Sequence, residues 1–580
     1  MSFARLRPPV DLLLLHPPSV YDFRERSILY GPVSDMVPSS PVFEMYPIGF
    51  LTIASYLETR GLEVRIANLA LRMMNDRKFD VRRFLCRTPA RAIGIDLHWL
   101  PHAHGALEIA ALAREACPGI PILFGGLSAT YFHEELIRYP QVDYVLRGDS
   151  TEEPLYRLLL ALAAGESVAD IANLTWKSGD DIHVNPLVWV PTTLDYVEVR
   201  PELLIDMVLR HGDLAGVLPF RGWWRNPITM MLPLKGCAYE CATCGSARSS
   251  CAHYTRRSTP VFRSPASLVR NARAIARFTR APIVLPGDVL QGGRDYAEAL
   301  IDGLGAARIR NEIMLEFFDP PPVEFIESVD RALPRWSFEI SPESHDPAIR
   351  HALDGESCYD NAALETVLRA ALATRCRRID VFFMIGLPKQ TNSSVRATVD
   401  YCGRLLRQSD RRLNCFISPM GPFVDPGSRI FEDPEKFGYR LHARTLEEHR
   451  QLLIQPSWEA ILNYETTAMS RRVLVDATYD AAERLNALKL ETGRIGRRRA
   501  ASVSARILAA RALRARLDQG RSGHLDAAAQ AALRGDVVRF STSTVCDKQE
   551  LAWRGSLFNF RFSAILRATA HALAGLPSRK

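Results

Sequence analysis

The chain has 580 residues, of which 47% are hydrophobic and 24% charged, a composition typical of a globular protein with about three or four domains. Its formal charge of +8 is small for this length, so composition gives no reason to expect a nucleic-acid partner. No apolar run reaches the ~20 residues of a membrane span, and we expect no membrane partner. The run from Leu12 to Leu15 ends at Pro17-Pro18 without a cleavage site, which argues against an export signal. The odd number of cysteines, 11, then indicates reduced thiols in a cytoplasmic protein.

Residues 1–165 alternate short apolar runs with helical patterns. Strands are predicted at 11–16, 63–67, 92–96, 121–124 and 142–146, and helices at 48–57, 106–116 and 132–138. Strands that are almost wholly apolar and alternate with helices indicate a parallel, doubly wound sheet with helices on both faces. Such a sheet binds ligands at the carboxyl ends of its strands.

Three motifs lie at or near those ends: Tyr46-Pro47-Ile48-Gly49, Phe124-Gly125-Gly126-Leu127-Ser128 and Arg147-Gly148-Asp149-Ser150-Thr151-Glu152. They resemble the flavodoxin-like cobalamin-binding domain that precedes many radical S-adenosylmethionine (SAM) barrels. Glycines at such ends let a corrin ring and its nucleotide tail approach the backbone, and Ser128 could bond the tail. The alternative is a flavodoxin-like domain without a ligand, since a fold does not fix its ligand. The resemblance implies cobalamin contacts at Gly49, Gly125, Gly126, Ser128, Gly148, Asp149 and Glu152.

The Asp-x-His-x-x-Gly signature of a cobalt-ligating histidine is absent after the first strand, where His16 lies without the Asp or the Gly. Asp96-Leu97-His98 begins in the same way after the third strand, but Pro101 takes the glycine position. We therefore interpret His98 as a surface histidine. If cobalamin binds, we expect no histidine ligand on its lower face.

Residues 166–225 are predicted as a connector. Two short strand patterns flank Ser178-Gly179-Asp180-Asp181, which is typical of a hairpin turn. Trp223-Trp224 is expected to cover an apolar seam between domains.

Three cysteines follow a predicted buried strand at 228–234, in the run Lys235-Gly236-Cys237-Ala238-Tyr239-Glu240-Cys241-Ala242-Thr243-Cys244-Gly245. A short loop can turn three thiolates towards one metal centre, and a cubic iron–sulfur cluster normally takes four thiolates, so three leave one iron open. The alternative is zinc with Cys251 or His253 as fourth ligand. Zinc cysteines usually come in separated pairs, and the crowding of the third cysteine favours the cluster.

This C-x3-C-x2-C loop resembles that of the radical SAM superfamily. The resemblance implies a 4Fe–4S cluster held by Cys237, Cys241 and Cys244, with SAM chelating the open iron. One electron then splits SAM into methionine and a 5′-deoxyadenosyl radical. Thr243 replaces the aromatic residue that usually precedes the third cysteine and contacts the adenine.

Residues 226–430 continue the alternation, with further strands predicted at 282–286, 313–318, 336–341, 379–384 and 414–418. With the strand before the cysteine loop they resemble the partial (β/α)6 barrel of radical SAM enzymes. Functional groups in such barrels lie at the carboxyl ends of the strands. Gly287-Asp288, at the end of the predicted strand 282–286, is a loose match to the family motif that contacts the SAM amino group. Ser344 or Asp346 could instead cap a helix that starts at Pro347. The resemblance implies SAM contacts at Gly287 and Asp288 (amino group), Glu343 and Ser344 (ribose), and Gly386 and Pro388 (adenine).

Residues 431–580 are predicted to be mostly helical and to shape the substrate pocket, with helices at 447–453, 471–488 and 494–516. The segment 463–466 is expected to reach the active site. The run Arg497-Arg498-Arg499 lacks interleaved aromatic residues, so a solvated helix face is favoured over a nucleic-acid site.

Together the resemblances imply a cobalamin-dependent radical SAM enzyme with a small-molecule substrate and an electron donor such as flavodoxin or ferredoxin. The leading hypothesis is methyl transfer to an unactivated carbon, with a second SAM restoring the methyl group on cobalamin. Cyclisation, rearrangement or oxidation without methylation is an alternative within this class. A non-catalytic cobalamin-binding or metal-binding sensor is an alternative outside it.

Overall fold

A computed structural model of the protein describes residues 8–26, 28–29, 42–225, 227–355, 358–521, 532, 536, 546–553 and 559–573. Within these ranges the chain forms two large sheets with helices packed against them, followed by a C-terminal part rich in helices.

The first sheet has the strand order β2-β1-β3-β4-β5-β6-β7 in the described part of the chain. Its first five strands are parallel and its last two antiparallel. The parallel order 2-1-3-4-5 is that of a flavodoxin-like domain, which confirms the predicted fold. Every residue of β1 is buried, because helices cover both faces of a central parallel strand. The strands are β1 (Leu12–His16), β2 (Val64–Asn68), β3 (Ile93–Asp96), β4 (Ile122–Gly125), β5 (Tyr144–Leu146), β6 (Leu174–Ser178) and β7 (Asp181–Val184).

Helices of this region connect the parallel strands and continue into the connector. The helix predicted at 132–138 is present as the shorter α6 (His133–Leu136), and a further short helix, α5 (Leu127–Tyr131), precedes it. The helices are α1 (Gly49–Glu58), α2 (Leu69–Asn75), α3 (Val81–Cys86), α4 (Ala103–Ala116), α5 (Leu127–Tyr131), α6 (His133–Leu136), α7 (Glu152–Ala164), α8 (Glu202–His211) and α9 (Leu214–Val217).

The predicted hairpin in the connector is present, but it belongs to the first sheet. Strand β6 pairs antiparallel with β5, and Leu146 lies opposite Leu174. The boundary predicted at residues 165 and 166 therefore cuts through one sheet, which extends to Val184. The sequence pattern identified the turn, but pairing between β5 and β6 is a long-range contact that a local pattern does not contain.

The second sheet contains six parallel strands among the described residues, in the order β15-β14-β13-β12-β11-β8. This sequential order is the one expected of a partial (β/α)6 barrel. The first strand departs from the prediction of a buried strand at 228–234, because only Thr229–Met230 joins this sheet and Met230 is 37% exposed. The strands are β8 (Thr229–Met230), β11 (Ile283–Leu285), β12 (Ile313–Phe317), β13 (Trp336–Glu343), β14 (Ile379–Ile385) and β15 (Leu413–Pro419).

A short antiparallel pair, β9 (Leu234–Lys235) and β10 (Val261–Phe262), frames the cysteine loop. Helix α14 starts at Pro347 with Asp346 as its N-cap, accepting a bond from the Ala348 N–H at 2.9 Å. The helices of this region are α10 (Arg248–Tyr254), α11 (Pro265–Phe278), α12 (Arg294–Ala306), α13 (Val323–Ala332), α14 (Pro347–Leu353), α15 (Asn361–Leu372) and α16 (Asn392–Gln408).

The C-terminal part is helical as predicted, with one addition, an antiparallel pair formed by β16 (Tyr439–Leu441) and β17 (Tyr464–Thr466). None of the helices that the structure describes is long and apolar enough to cross a bilayer. The helices are α17 (Arg429–Glu432), α18 (Leu446–Leu453), α19 (Trp458–Ile461), α20 (Arg471–Glu491), α21 (Arg497–Arg521), α22 (Lys548–Leu551) and α23 (Phe562–Leu573).

The arginine-rich helix α21 is packed into this part rather than solvated all round. Val503 and Ile507 on α21 are fully buried. Arg511 pairs with Asp480 of α20, and Arg506 lies 3.4 Å from Asp547. Intramolecular carboxylates therefore engage much of its positive charge, which disfavours a nucleic-acid surface here.

The paired tryptophans of the connector pack against the C-terminal segment. The ring of Phe560 lies 5.5 Å from that of Trp223 and 5.1 Å from that of Trp224, measured between centroids. The seam that they cover therefore joins the connector to the end of the described chain.

A buried ion pair fixes the C-terminal segment to the second sheet. Lys489 of α20 contacts Glu550 of α22 at 2.8 Å, and their side chains are 2% and 3% exposed. The Lys489 ammonium also lies 4.1 Å from the centroid of the Phe416 ring on β15. Burial lowers the pKa of Lys489, but the charge and hydrogen bond of Glu550, together with Cys546 and Cys415, outweigh it and raise the pKa, so the lysine stays charged.

We predict that Lys489→Met lowers the free energy of unfolding by about 3–5 kcal/mol, because it leaves the Glu550 carboxylate buried without a partner. Urea unfolding followed by tryptophan fluorescence measures the change. Arg407→Met is the control, because the side chains of the Arg407–Glu491 pair are 53% and 55% exposed. Loss of this exposed pair should leave the midpoint of urea unfolding unchanged. Equal effects of the two variants on the free energy of unfolding would contradict the role of Lys489 and Glu550 as a stabilising buried ion pair.

Candidate active site

The cysteine loop lies between β9 and α10 and begins at Gly236, whose φ of 82° favours glycine. Backbone amides point at two of its sulfurs: the Tyr239 N–H donates to Cys237 Sγ at 3.5 Å and the Ser246 N–H to Cys244 Sγ at 3.3 Å. Amide bonds to sulfur stabilise thiolates and tune iron–sulfur clusters. The donor set therefore fits a cluster, and burial raises the pKa of the Cys244 thiol.

The three sulfurs are not gathered into a ligand set, since no group of at least three His, Cys, Asp or Glu side chains among the described residues could hold a metal ion. Cys241 is buried against Gly355, where an added Cβ would lie 2.5 Å from the sulfur. Cys251, the alternative zinc ligand, donates from Sγ to the Ser246 carbonyl at 3.2 Å, and burial raises its pKa to about 12. His253 is exposed on α10. Cys251 is therefore a packed thiol in this structure.

The end of β11 carries Gly287 and Asp288. Gly287 has φ 89° and its N–H donates to Glu316. Asp288 is buried, and its two oxygens accept from the N–H groups of Leu290 at 2.8 Å and Phe318 at 3.0 Å. Burial raises its pKa to about 7, although these two bonds act in the opposite direction. Asp288 thus joins the ends of β11 and β12 through these two hydrogen bonds.

The end of β13 carries Glu343 and Ser344. Glu343 has φ 62° and is 5% exposed, and its Oε2 has no hydrogen-bond partner in the described structure. Burial raises its pKa to about 8, so the carboxyl is protonated at neutral pH. Ser344 is fully buried, and its hydroxyl accepts from the Asp346 N–H at 3.2 Å, in front of the helix cap. An orphaned, inward-facing carboxyl is a good partner for ribose hydroxyls, so Glu343 fits the role implied for it.

The end of β14 carries Gly386 and Pro388, both buried. The Gly386 carbonyl accepts from the Tyr439 hydroxyl, and an added Cβ at Gly386 would lie 3.0 Å from the Tyr464 hydroxyl oxygen. The segment 463–466 therefore reaches the strand ends of the second sheet as β17, through Tyr464. Burial raises the pKa of Tyr439 well above its ordinary value, with smaller contributions in the same direction from Tyr464 and Glu343.

A row of carboxyls crosses the second sheet below these ends. Glu316 pairs in register with Glu339, and Glu339 with Asp380 on the next strand. Residues in register on neighbouring parallel strands point to the same face. Burial raises the pKa of Glu339 well above its ordinary value, and Glu316 and Asp380 raise it further. Burial on this face therefore favours the neutral form of the Glu339 carboxyl.

The glycines of the first sheet lie at its carboxyl edge and differ in their surroundings. Gly49 opens α1 with nothing within 4 Å of an added Cβ, and Gly125 has only the Leu146 carbonyl, at 3.9 Å. Gly148 has φ 104° and donates its N–H to Thr130 Oγ1 at 3.0 Å. Gly49 and Gly125 thus leave open space beside the backbone, which fits a flat macrocycle, whereas Gly148 is buried.

Gly126 and Ser128 contact the loop after β3 instead. Gly126 has φ 117°, and an added Cβ would lie 2.6 Å from the backbone of His98. The Ser128 hydroxyl donates to the His98 carbonyl at 3.1 Å. His98 is half-buried rather than a surface residue, which corrects the expectation for it.

Asp149 and Glu152, at the end of β5, bind the region of the cysteine loop. Arg257 forms an ion pair with Asp149, with one contact at 2.9 Å, and their side chains are 3% and 14% exposed. Lys235, two residues before the first cysteine, donates to the Asp149 carbonyl at 2.6 Å and lies 3.9 Å from Glu152. Burial raises the pKa of Asp149, but Arg257 and Lys235 outweigh this and hold it below its usual value.

Glu152 is held within its own domain as well. Its Oε1 accepts from the Thr52 hydroxyl at 2.8 Å, and its Oε2 from the Tyr196 hydroxyl at 2.8 Å. We call the contacts of Lys235 and Arg257 with Asp149, Ser150 and Glu152 the interdomain bridge. The bridge brings the cysteine loop to the carboxyl edge of the first sheet.

Comparisons with known proteins agree with this arrangement. Residues 37–155 match the family model of the B12 binding domain. Over 210 residues the chain is 23% identical to the anaerobic magnesium-protoporphyrin IX monomethyl ester cyclase of Synechocystis sp., a match that spans 35% of this chain and only 39% of that enzyme.

Solved structures share the fold over both sheets. TsrM, a radical S-adenosylmethionine methyltransferase from Kitasatospora setae with cobalamin and a 4Fe–4S cluster bound, aligns with a TM-score of 0.57 at 16% identity, covering 83% of this chain and 89% of that one. OxsB, a cobalamin-dependent S-adenosylmethionine radical enzyme, aligns with a TM-score of 0.54 at 12% identity, covering 98% and 79%. The chain has the fold of the cobalamin-dependent radical SAM enzymes. The predicted family resemblance and fold class are confirmed.

Three residues of this radical SAM fold were not assigned a role from sequence: Lys235, Arg257 and His98. Lys235 was visible beside the first cysteine, but its partner lies 86 positions earlier. Arg257 and Asp149 are 108 positions apart. No local pattern reports such contacts, because they form only when the two sheets pack together.

We predict that Cys237→Ala, Cys241→Ala and Cys244→Ala each abolish the visible absorbance and the bound iron of anaerobically reconstituted protein, because a cubic cluster needs all three thiolates. Iron and sulfide analysis measures the loss. Cys251→Ala is the matched control and should retain the cluster, since that thiol is bonded to the Ser246 carbonyl. Zinc without iron, bound only while Cys251 is intact, would support the zinc alternative instead.

We predict that Glu343→Gln becomes more stable than the native chain as pH rises. The pKa of Glu343 is about 8 in the fold against an ordinary 4.5, so its stabilising contribution is complete below pH 4.5 and is lost as pH rises to about 8. Thermal unfolding midpoints across this window measure the effect. Glu115→Gln, at a carboxyl that is 59% exposed, is the control and should show no such trend. A constant difference between Glu343→Gln and the native chain would refute the prediction.

Proposed function

We propose that this chain is a cobalamin-dependent radical SAM enzyme that transfers a methyl group to an unactivated carbon of a small molecule. The observation that carries the proposal is the interdomain bridge, in which Lys235 and Arg257 hold the cysteine loop against Asp149 of the first sheet. This methyl transfer requires that the SAM and cobalamin sites both face one substrate. Holding reacting groups close together in a fixed orientation supplies much of an enzyme's rate acceleration.

The chain offers separate donors for each cofactor. Cys237, Cys241 and Cys244 are proposed to hold the 4Fe–4S cluster. The SAM contacts proposed are Gly287, Asp288, Glu343, Ser344, Gly386 and Pro388. The cobalamin contacts proposed are Gly49, Gly125, Gly126, Ser128, Gly148, Asp149 and Glu152. When bound, the cluster supplies the electron that splits SAM into methionine and a 5′-deoxyadenosyl radical, and cobalamin supplies the methyl group.

The residues of the chain orient these groups and exclude water. The protonated Glu343 carboxyl can donate to a ribose oxygen, and Asp288 fixes the backbone at the end of β11. Tyr439 and Tyr464 close the end of β14, where both rings are buried. A buried, dry site protects radicals from side reactions, so these aromatic residues serve the chemistry without taking part in it.

TsrM supports the methyl-transfer hypothesis, because its structure is that of a radical SAM methyltransferase with tryptophan and a SAM analogue bound, and it aligns over 74% of this chain. Cyclisation or oxidation without methylation is the second candidate, favoured by the sequence match to a cyclase. The ion pairs of α21 disfavour a nucleic-acid partner for the sensor alternative.

The proposal includes an external reductant, since no second cluster motif accompanies the three cysteines in the sequence. We propose a cytoplasmic flavodoxin or ferredoxin in this role. We propose no membrane partner, and the substrate is proposed to be a free small molecule.

We predict that the reconstituted protein, given dithionite and SAM, releases 5′-deoxyadenosine, and that Cys241→Ala releases none. With SAM labelled in its methyl group and an extract of small molecules, label should appear in a carbon-methylated product. Mass spectrometry measures both. A reproducible new product without label would replace methyl transfer by the cyclisation or oxidation candidate. Corrinoid binding without SAM cleavage would favour the sensor.

A further inference from the structure

The backbone of His98 is held in place by the segment after β4. The Ser128 N–H and hydroxyl both donate to the His98 carbonyl, at 3.2 and 3.1 Å, and the Ala129 N–H donates to the Leu97 carbonyl at 3.0 Å. Gly126 packs directly on this backbone, where a Cβ would lie 2.6 Å from His98 N. Two of the residues proposed for cobalamin thus position His98.

The imidazole of His98 is half-buried and free to bind a ligand. Its described contact is an edge-on approach to Trp99, with ring centroids 4.7 Å apart, and no described group bonds its nitrogens. A neutral imidazole keeps a nitrogen lone pair for coordination.

Other histidines at this edge are already engaged. His16 follows β1 and is fully buried, with Nδ1 2.9 Å from Asp96 and Nε2 3.1 Å from the Phe43 carbonyl. His102 is also fully buried, and its Nε2 lies 2.8 Å from the same carbonyl. Neither can reach an outside group without breaking these contacts.

The position of His98 in the sheet is that of a ligand contact. It follows β3, and β3 lies beside β1 at the point where the strand order reverses. Flavodoxin-like sheets bind their cofactors in the crevice at this switch point.

We propose that His98 coordinates the cobalt of cobalamin through an imidazole nitrogen, on the corrin face turned towards the first sheet. The inference rests on the proposed cobalamin binding. It replaces the expectation of no histidine ligand, since the ligand comes from the loop after β3 and not from His16 after β1. Neutral imidazole is a common nitrogen ligand of transition metals, and metal-binding histidines are usually oriented by further hydrogen bonds. In this chain Ser128 fixes the backbone that carries the ring.

Electron paramagnetic resonance of the reduced, Co(II) corrinoid tests the proposal. The full chain is loaded with cobinamide, which lacks the nucleotide base, so that a nitrogen ligand must come from the protein. We expect each cobalt line to split into a triplet, and the triplet to become a doublet when the protein is made with ¹⁵N-histidine. His98→Ala should lose the splitting while retaining corrinoid, and added imidazole should restore it.

His183→Ala is the matched control, because this histidine stacks on Trp176 in the hairpin of β6 and β7, with ring centroids 4.3 Å apart. The nitrogen triplet should persist in the spectrum of this variant. Bound cobinamide without nitrogen splitting in the native chain, or splitting unchanged in His98→Ala, would overturn the ligand assignment and leave the proposed function standing. Failure of the native chain to bind either cobinamide or cobalamin would overturn both.

Discussion

The arrangement of this protein depends on one buried ion pair and the lysine beside it. Arg257 and Asp149 are 3% and 14% exposed, and removing one partner of such a pair leaves the other charge without compensation. Lys235 adds a direct bond from the residue next to Gly236 to the end of β5. Because these contacts join a loop of one sheet to the edge of the other, they set the distance and orientation between the two proposed cofactor sites.

Motif residues at the edge of the first sheet divide into two groups by their surroundings. Gly49 and Gly125 leave backbone open, whereas Gly126 and Ser128 shape the loop that carries His98. Asp149 is occupied by the interdomain bridge. A motif that resembles a ligand-binding signature can therefore act through a neighbouring loop, and only the contacts distinguish direct binding from positioning.

Three carboxyls of the second sheet share a physical property, because burial raises their pKa. Asp288, Glu339 and Glu343 all shift in this direction. Neutral carboxyls can donate as well as accept hydrogen bonds, and they do not draw water and counterions into the site. Such an environment suits chemistry in which SAM is the main charged species and a radical must be kept from solvent.

The sequence by itself determined the two sheets, the location of the cysteine loop and the family resemblance, because apolar periodicity and short motifs are local properties of the chain. It predicted five of the six strands of the second sheet closely and misjudged β8, whose two residues form strand only by pairing with β11. The hairpin of β6 and β7, the bridge from Lys235 and Arg257 to Asp149, and the burial of His98 were decided by tertiary structure. Each of these depends on residues far apart in the chain that meet only when the sheets pack, and no local pattern encodes such a meeting.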